Sequence, residues 1–245
     1  MKQRTLVVVS AGLSQPSSTR LLADRLSAAA VDSAVSLGVR LDVRVLELRD
    51  LAHDITNHML TGFPPAALRD ALDAVAGADA LIAVTPVFNA SYSGLFKSFF
   101  DVVDKDALAD KPVLIAATGG TARHSLVLEH ALRPMFSYLH AVTMPTSVFA
   151  ASEDWGGDEA LRPGPLRRTA NTDALPPGPL RRTADTDALP PRRLRRTANT
   201  ETEGGLRGRI LRAADELARE VERRDPATVA DPFALTASFE DLLAG

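Results

Sequence analysis

Apolar residues along this chain follow two alternating rhythms. Short, nearly continuous apolar runs recur at TLVVVS (5–10), LDVRVLEL (41–48), ALIAVT (80–85), PVLIAAT (112–118) and AVTMPTSVF (141–149). Between them apolar positions recur at helical spacing over about 17–37, 66–76, 93–104 and 125–140, and a last such segment spans about 205–224. The first, third and fourth runs have almost no polar interruption, the pattern of strands covered on both faces. In the last helix Leu206, Ile210, Leu211, Ala214, Leu217 and Val221 form one apolar stripe. Strict alternation of strand and helix predicts a parallel sheet with helices on each side, joined by right-handed crossovers. The fold class is therefore α/β: a three-layer sandwich around a five-stranded parallel sheet in the order 2-1-3-4-5.

Between the fifth strand and the last helix the pattern breaks. GPLRRTANTDALPP (164–177) is followed by GPLRRTADTDALPP (178–191) and by a degraded copy, RRLRRTANTETEGG (192–205), a period of 14 residues. The first two copies differ only at Asn171 versus Asp185, the mark of a tandem duplication. A unit with so few leucines among prolines, arginines and threonines buries too little apolar surface on stacking to offset chain entropy. Residues 158–204 are therefore read as a low-complexity insertion, a disordered and basic surface loop. Residues 1–157 and 205–245 then make a single domain. The segment DPFALTASFEDLLAG carries Phe233, Leu235, Phe239 and Leu242, which would pin a tail onto the domain or a neighbouring subunit.

Composition narrows the function classes. A chain of 245 residues, 45% apolar and 24% charged, is ordinary for a soluble protein with a substantial core. A net charge of −3 supplies no field favouring nucleic acid or a membrane, and 5% aromatics leave little surface for base stacking. The absence of cysteine excludes disulfides, thiolate-held iron–sulfur clusters and a redox CxxC pair. The opening MKQRTLVVVSAGLS has too short an apolar run for a signal-peptide core, and no segment approaches the roughly 18–20 apolar residues of a membrane span. The expected compartment is the cytoplasm.

In an open parallel sheet ligands bind beyond the carboxyl ends of the strands, where strand order reverses. The loops after strands 1, 3 and 4 are the ones to inspect. The first, SAGLSQPSSTRLLADRL, crowds Ser10, Ser14, Ser17, Ser18 and Thr19 at a helix start, where exposed N–H groups and hydroxyls make a phosphate site. It carries neither GK[ST] nor GxGxxG, which disfavours a nucleoside triphosphate and a dinucleotide cradle. The same residues also suit an ordinary Ser/Thr cap. In the second loop, TPVFNASYSG, Asn89 and the backbone amides around Pro86 to Asn89 suit the polar edge of a planar ring, with Phe88 near it. In the third, ATGGTARHS, paired glycines allow a flat group to approach the backbone. A phosphate at the first loop and a planar heterocycle across the other two describe flavin mononucleotide better than ATP.

With these residues the chain resembles the NAD(P)H-dependent FMN reductases of the flavodoxin-like superfamily. The stretches GLSQPSSTRLLA, TPVFNASYSGLFKSFFDVVD and ATGGTARHSLVLEHALRPMFSYLHA carry the similarity, which spans roughly 1–155 and resumes over 205–243. It is strongest to the reductase components of two-component flavin monooxygenases, including those paired with luciferase-like monooxygenases. The resemblance implies that Ser10, Ser17, Ser18 and Thr19 hold the FMN phosphate. It implies Pro86, Val87, Phe88 and Asn89 along the ribityl chain and isoalloxazine, and Thr118, Gly119 and Gly120 at the ring. NADPH or NADH is the implied hydride donor, and the implied assembly is a homodimer or homotetramer, with the apolar face of 93–104 as interface or core. Many of these reductases have an arginine in the first loop, where this chain has Ser14 and Gln15. His130 occupies the position at which monooxygenase-paired members carry an extra residue that bulges a helix beside the flavin, with an implied influence on flavin exchange or packing.

Hydride transfer needs position and electrostatics rather than a general acid or base, so no catalytic side chain is singled out. His53, His58, His124, His130 and His140 show no metal-ligand spacing, and Ser91 and Ser93 sit in no nucleophile elbow. Two rivals stay open: a quinone or azo reductase that keeps its FMN bound, and a non-enzymatic electron carrier or redox sensor.

Overall fold

Strand β1 (Lys2–Ser10) has four consecutive residues, Leu6, Val7, Val8 and Val9, with no solvent exposure. Successive strand side chains point to opposite faces. Leu6 and Val8 accordingly join one apolar cluster and Val7 and Val9 another. The computed structural model describes residues 1–155 and 205–227. The repeat tract expected over 158–204 and the tail from 228 onward lie outside the described residues.

Helix α1 (Ser18–Ser36) follows β1 and leads to β2 (Val39–Glu47), which pairs parallel with β1 from Lys2↔Val39 to Ser10↔Glu47. Two helices come next, α2 (Ala52–Thr61) and α3 (Ala66–Gly77), before β3 (Ala80–Phe88) pairs parallel with the other edge of β1. A two-residue strand, β4 (Ser91–Tyr92), folds back on the end of β3 and gives way to α4 (Gly94–Val102). Strand β5 (Pro112–Gly119) pairs with β3, and a helical segment ending in α5 (Arg133–Tyr138) crosses to β6 (Val142–Thr143) and β7 (Val148–Ala151). Helix α6 (Leu206–Arg223) packs beside α1. Helices α1 and α6 cover the Leu6/Val8 face, and α2 to α5 cover the Val7/Val9 face. Among the described residues no helix is long and apolar enough to cross a membrane.

The α/β parallel architecture agrees with the pattern, but the sheet has seven strands in the order β2-β1-β3-β5-β6, not five in the order 2-1-3-4-5. One difference is β4, which pairs antiparallel with β3. The other is the run 141–149, which splits into β6 on the start of β5 and β7 on its end. Pro145 lies in the break and has no N–H to give a ladder. The bend is tied down from both sides. Arg133 Nη1 donates to Met144 O at 3.1 Å, and Glu216 of α6 accepts from Thr146 N at 2.8 Å and Thr146 Oγ1 at 2.6 Å.

Helix α2 was not expected. Its only fully buried residue is Ile55, so it carries too little periodic signal to stand out. The segment expected as one helix over 125–140 is a π-helical turn, Leu128–Leu132, that leads into α5. Pro134 supplies a reason. It cannot donate to the carbonyl of His130, and its ring crowds that carbonyl. The residue just before it makes a wide hydrogen bond, from Arg133 N to Leu128 O. The apolar face of 93–104 proves to be core rather than interface. Phe96 and Phe99 have no exposure, and Phe100 packs between Phe96 and Phe136, tilted to one and edge-on to the other, at centroid distances of 4.8 and 5.0 Å.

Lys111, just before β5, is buried to 6% exposure and donates to Val75 O at 2.6 Å and Ala76 O at 2.7 Å, closing the last turn of α3. Burial pushes its pKa down from 10.5 to about 8, against the attraction of Asp79. Between those two values the unfolded chain holds a proton that the folded chain has released, so this group makes stability rise with pH. In urea unfolding, the stability of the wild type relative to Lys111→Met should therefore improve by about 1–3 kcal/mol on going from pH 8 to 10.5. A difference that stays flat would show that the amine is not desolvated.

Candidate functional site

The carboxyl ends of β1, β3 and β5 lie side by side, with Ser10 in register with Val84 and Pro86 with Thr118. The loops that leave them define one rim.

The first loop runs from Ala11 into α1. Ser17 caps the helix, its Oγ accepting from Arg20 N at 3.2 Å. Ser18, half-buried, is the first helical residue, and its N–H is among those that find no acceptor inside the helix. Ser10 is fully buried, and its Oγ has no hydrogen-bond partner. A buried hydroxyl without a partner is costly unless a ligand or water completes it. The side chains of Ser17 and Thr19 close over Gly12, where a Cβ would stand 2.1 Å from Ser17 Oγ, so a side chain there must displace the capping hydroxyl.

The second loop is a β-hairpin. Val87 pairs with Tyr92 and Phe88 with Ser91. Asn89 and Ala90 make its turn, both left-handed, with φ of 48° and 66°. Two consecutive positive φ values are the signature of a type I′ turn, which matches the twist of the strands. Asn89 tolerates that region; Ala90 is strained in it. The hairpin is anchored at its base, where Thr85 Oγ1, fully buried, accepts from Ser93 N at 3.1 Å. Ser93 Oγ in turn caps α4 by accepting from Phe96 N at 3.2 Å. Pro86 and Val87 are half-buried, while Phe88 is 40% exposed at the edge.

The third loop begins at Gly119, where an added Cβ would meet the Phe149 ring at 2.8 Å, and continues through exposed Gly120. Thr118 is 4% exposed, and its Oγ1 lies 2.8 Å from Oγ1 of Thr19, itself 2% exposed. These two expected site residues therefore bond to each other beneath the surface. Their mutual bond joins the start of α1 to the end of β5. His130 is exposed within the π-helical turn, so the expected bulge is present around it.

Charge beside the first loop comes from the β2 side. Arg20 Nη1 pairs with Glu47, and its Nε donates to Asp24 Oδ1 at 2.8 Å. Arg49, in the turn after β2, lies beside Gln15 of the first loop. Among the described residues no cluster of three His, Asp or Glu side chains could hold a metal ion. A cavity of about 860 Å³ opens at the opposite, amino-terminal end of the strands, lined by Asp73, Asp79, Asp106, Lys111 and Arg224 among others. Its central groups are already engaged. Lys111 closes α3, and Asp79 accepts from Thr5 N at 2.6 Å and Ala227 N at 2.7 Å.

The profile of the NADPH-dependent FMN reductase family matches residues 4–156, which include every residue of this rim. The chain belongs to that family. It is 43% identical over 150 residues to an FMN reductase (NADPH) of Pseudomonas aeruginosa, covering 61% of this chain and 78% of that one. It is 40% identical over 162 residues to the NADH-dependent FMN reductase SfnF of Pseudomonas fluorescens, covering 66% and 83%. Among solved structures, an oxidoreductase from Corynebacterium diphtheriae superposes with a TM-score of 0.71 at 40% identity, covering 92% of this chain and all of that one. The apo form of an NADH:FMN oxidoreductase superposes with a TM-score of 0.55 at 32% identity, covering 60% and 75%. This chain is thus an FMN reductase that draws its hydride from NAD(P)H.

Sequence reasoning missed Gly12 and Arg49. A glycine two residues past a buried strand was a usable signal for the first. For Arg49 none existed, because the contact joins loops 34 residues apart in the chain. The hairpin offers a direct test of its geometry. Ala90→Gly relieves the positive φ and should raise stability by about 1 kcal/mol, measured by thermal or urea unfolding. A loss of stability would show that the turn is not type I′.

Proposed function

We propose that FMN binds across the three loops, with its phosphate at the first and its ring between the second and third. The observation that carries this reading is the buried, unpartnered Ser10 Oγ at the start of the loop into α1, where a side chain at residue 12 would strike the Ser17 hydroxyl. Ser17, Ser18 and the first-turn N–H groups of α1 face the phosphate, an arrangement that needs no metal. Pro86 to Asn89 flank the ribityl chain and ring, and Gly119 and Gly120 let the ring lie close to backbone. Thr19 and Thr118 hold the two sides of the pocket together through their mutual hydrogen bond.

When bound, the flavin supplies the redox chemistry by accepting a hydride from the nicotinamide. The protein orients the two rings and excludes water, work suited to glycines and hydroxyls rather than to a general acid. Both NADPH and NADH stay in this reading, because relatives of similar identity are named for each. The reduced flavin passes to a flavin-dependent monooxygenase of the luciferase-like kind, as the resemblance in the second and third loops implies. The site of this work is the cytoplasm, where both nucleotides are supplied. The chain assembles as a homodimer or homotetramer, and Met59, Leu60, Phe63, Leu126 and Tyr138 are among its exposed apolar residues. His130, at the π-helical turn beside the third loop, influences flavin exchange or packing.

With flavin-stripped protein, NAD(P)H oxidation should rise hyperbolically as FMN is titrated into the micromolar range. Retention of FMN through gel filtration, with turnover independent of added flavin, would replace flavin release with a bound prosthetic group. Gly12→Ala pushes its Cβ into the Ser17 cap and should weaken FMN binding about tenfold or more, roughly 1.4 kcal/mol, with far-UV circular dichroism unchanged. Unaltered affinity would remove the first loop from the site.

A further inference from the structure

The first loop, from Ser10 to Thr19, contains no lysine or arginine. A phosphate monoester carries nearly two negative charges at neutral pH. Hydroxyls and helix N–H groups orient such a group but supply only partial charge. Two guanidinium groups, those of Arg20 and Arg49, stand beside the first loop, and a third, of Arg123, lies on the third loop. Arg20 is held by Asp24 at 2.8 Å and by Glu47, and the hydrogen bond to Asp24 raises its pKa above the ordinary value. Its donors are spent on carboxylates.

Arg49 differs. The register pair Ser10↔Glu47 places the turn after β2 beside the start of the first loop. The Arg49 side chain is 25% exposed, and its carboxylate neighbours are more distant, Asp50 Oδ1 at 3.4 Å and Glu47 Oε2 at 4.0 Å. With the Gln15 amide turned so that its oxygen faces the guanidinium, Gln15 Oε1 accepts from Arg49 Nη1 at 3.1 Å and also from Nη2. Gln15 is an exposed loop residue whose amide oxygen can be displaced by a better acceptor. A phosphate offers one, because a planar guanidinium binds its oxygens two at a time.

We propose that Arg49, reaching the first loop from the β2 turn, recognises the 5′-phosphate of the flavin and sets the preference for FMN over riboflavin. This rests on the reading that the loop holds the flavin phosphate. The charge that the loop lacks is delivered from a neighbouring strand, and Gln15 holds it in place until the ligand arrives.

The test uses the full-length, flavin-stripped chain as wild type, Arg49→Gln and Arg49→Lys. Dissociation constants for FMN and riboflavin are read from quenching of flavin fluorescence, and apparent KM values for NADPH and NADH are measured alongside. Arg49→Gln should weaken FMN roughly tenfold or more and leave riboflavin within about twofold. Arg49→Lys, which keeps the charge without the fork, should recover part of the loss. Added salt should narrow the FMN preference of the wild type more than that of Arg49→Gln. Equal weakening of both flavins would show that Arg49 only shapes the loop through Gln15 and would overturn the proposal. A loss confined to the KM for NADPH would overturn it too, assigning the residue to the dinucleotide. A wild type that binds neither flavin would sink the flavin site itself and this inference with it.

Discussion

Four fully buried residues in a row, Leu6 to Val9, force helices onto both faces of β1, and the strands so covered, β1, β3 and β5, meet solvent chiefly at their ends. Parallel strands then sort the helices by polarity. Each crossover helix starts at the carboxyl edge and runs back to the amino edge, so the carboxyl edge collects N-termini with their unpaired N–H groups and partial positive charge. The caps show it: Ser17 on α1, Ser93 on α4 and Thr121 on the turn after β5 all lie at this end. The amino edge collects the opposite ends, and there the buried Lys111 meets the last carbonyls of α3. Anion affinity at one end and a buried cation at the other follow from one constraint.

Much of this could be seen in the sequence because double-sided burial leaves an unmistakable trace. The runs that became β1, β3 and β5 are almost free of polar residues, and α1, α3 and α6 end within a residue or two of where periodicity placed them. Elements with a weaker demand for burial were less visible. Helix α2 buries one residue fully, so its sequence resembles a loop. The split of the last strand depends on Pro145 and on Glu216, which lies 70 residues away from Thr146, its partner. Helical periodicity around 125–140 could not distinguish an α-helix from a π turn, since the two differ by a single hydrogen-bond register. The phenylalanines of α4 satisfied two readings equally, core and interface. Only the partners on α5 decided between them.

The candidate site was legible in its residue types and less so in its connections. Serines at the start of α1 and glycines after β5 announced themselves by composition. That Thr19 and Thr118 spend their hydroxyls on each other depends on α1 lying across the ends of β3 and β5, a fact of packing with no local signature. The run PVFNAS suggested a loop because asparagine and small residues favour turns. The left-handed pair Asn89 and Ala90 makes it a hairpin instead, and Ala90 is a residue that local propensity would not choose there.

These connections say what kind of chemistry the rim is built for. Its buried polar groups are hydroxyls: Ser10, Thr19, Thr85, Ser93 and Thr118. Four of them tie one loop to another, close the base of the hairpin or cap a helix, which holds the loops to the strands that carry them. Carboxylates near the rim, Asp24 and Glu47, lie on its β2 side and are occupied by Arg20. An enzyme that moved protons would need a titratable group inside such a cradle, whereas one that brings two rings together needs the cradle to be stiff. Strain at Ala90 fits the same account. A hairpin held in a costly turn persists only where its surroundings over-determine it, and here the Thr85 and Ser93 hydrogen bonds at its base do so. Rigidity in the loops is what this arrangement of hydroxyls provides at the rim.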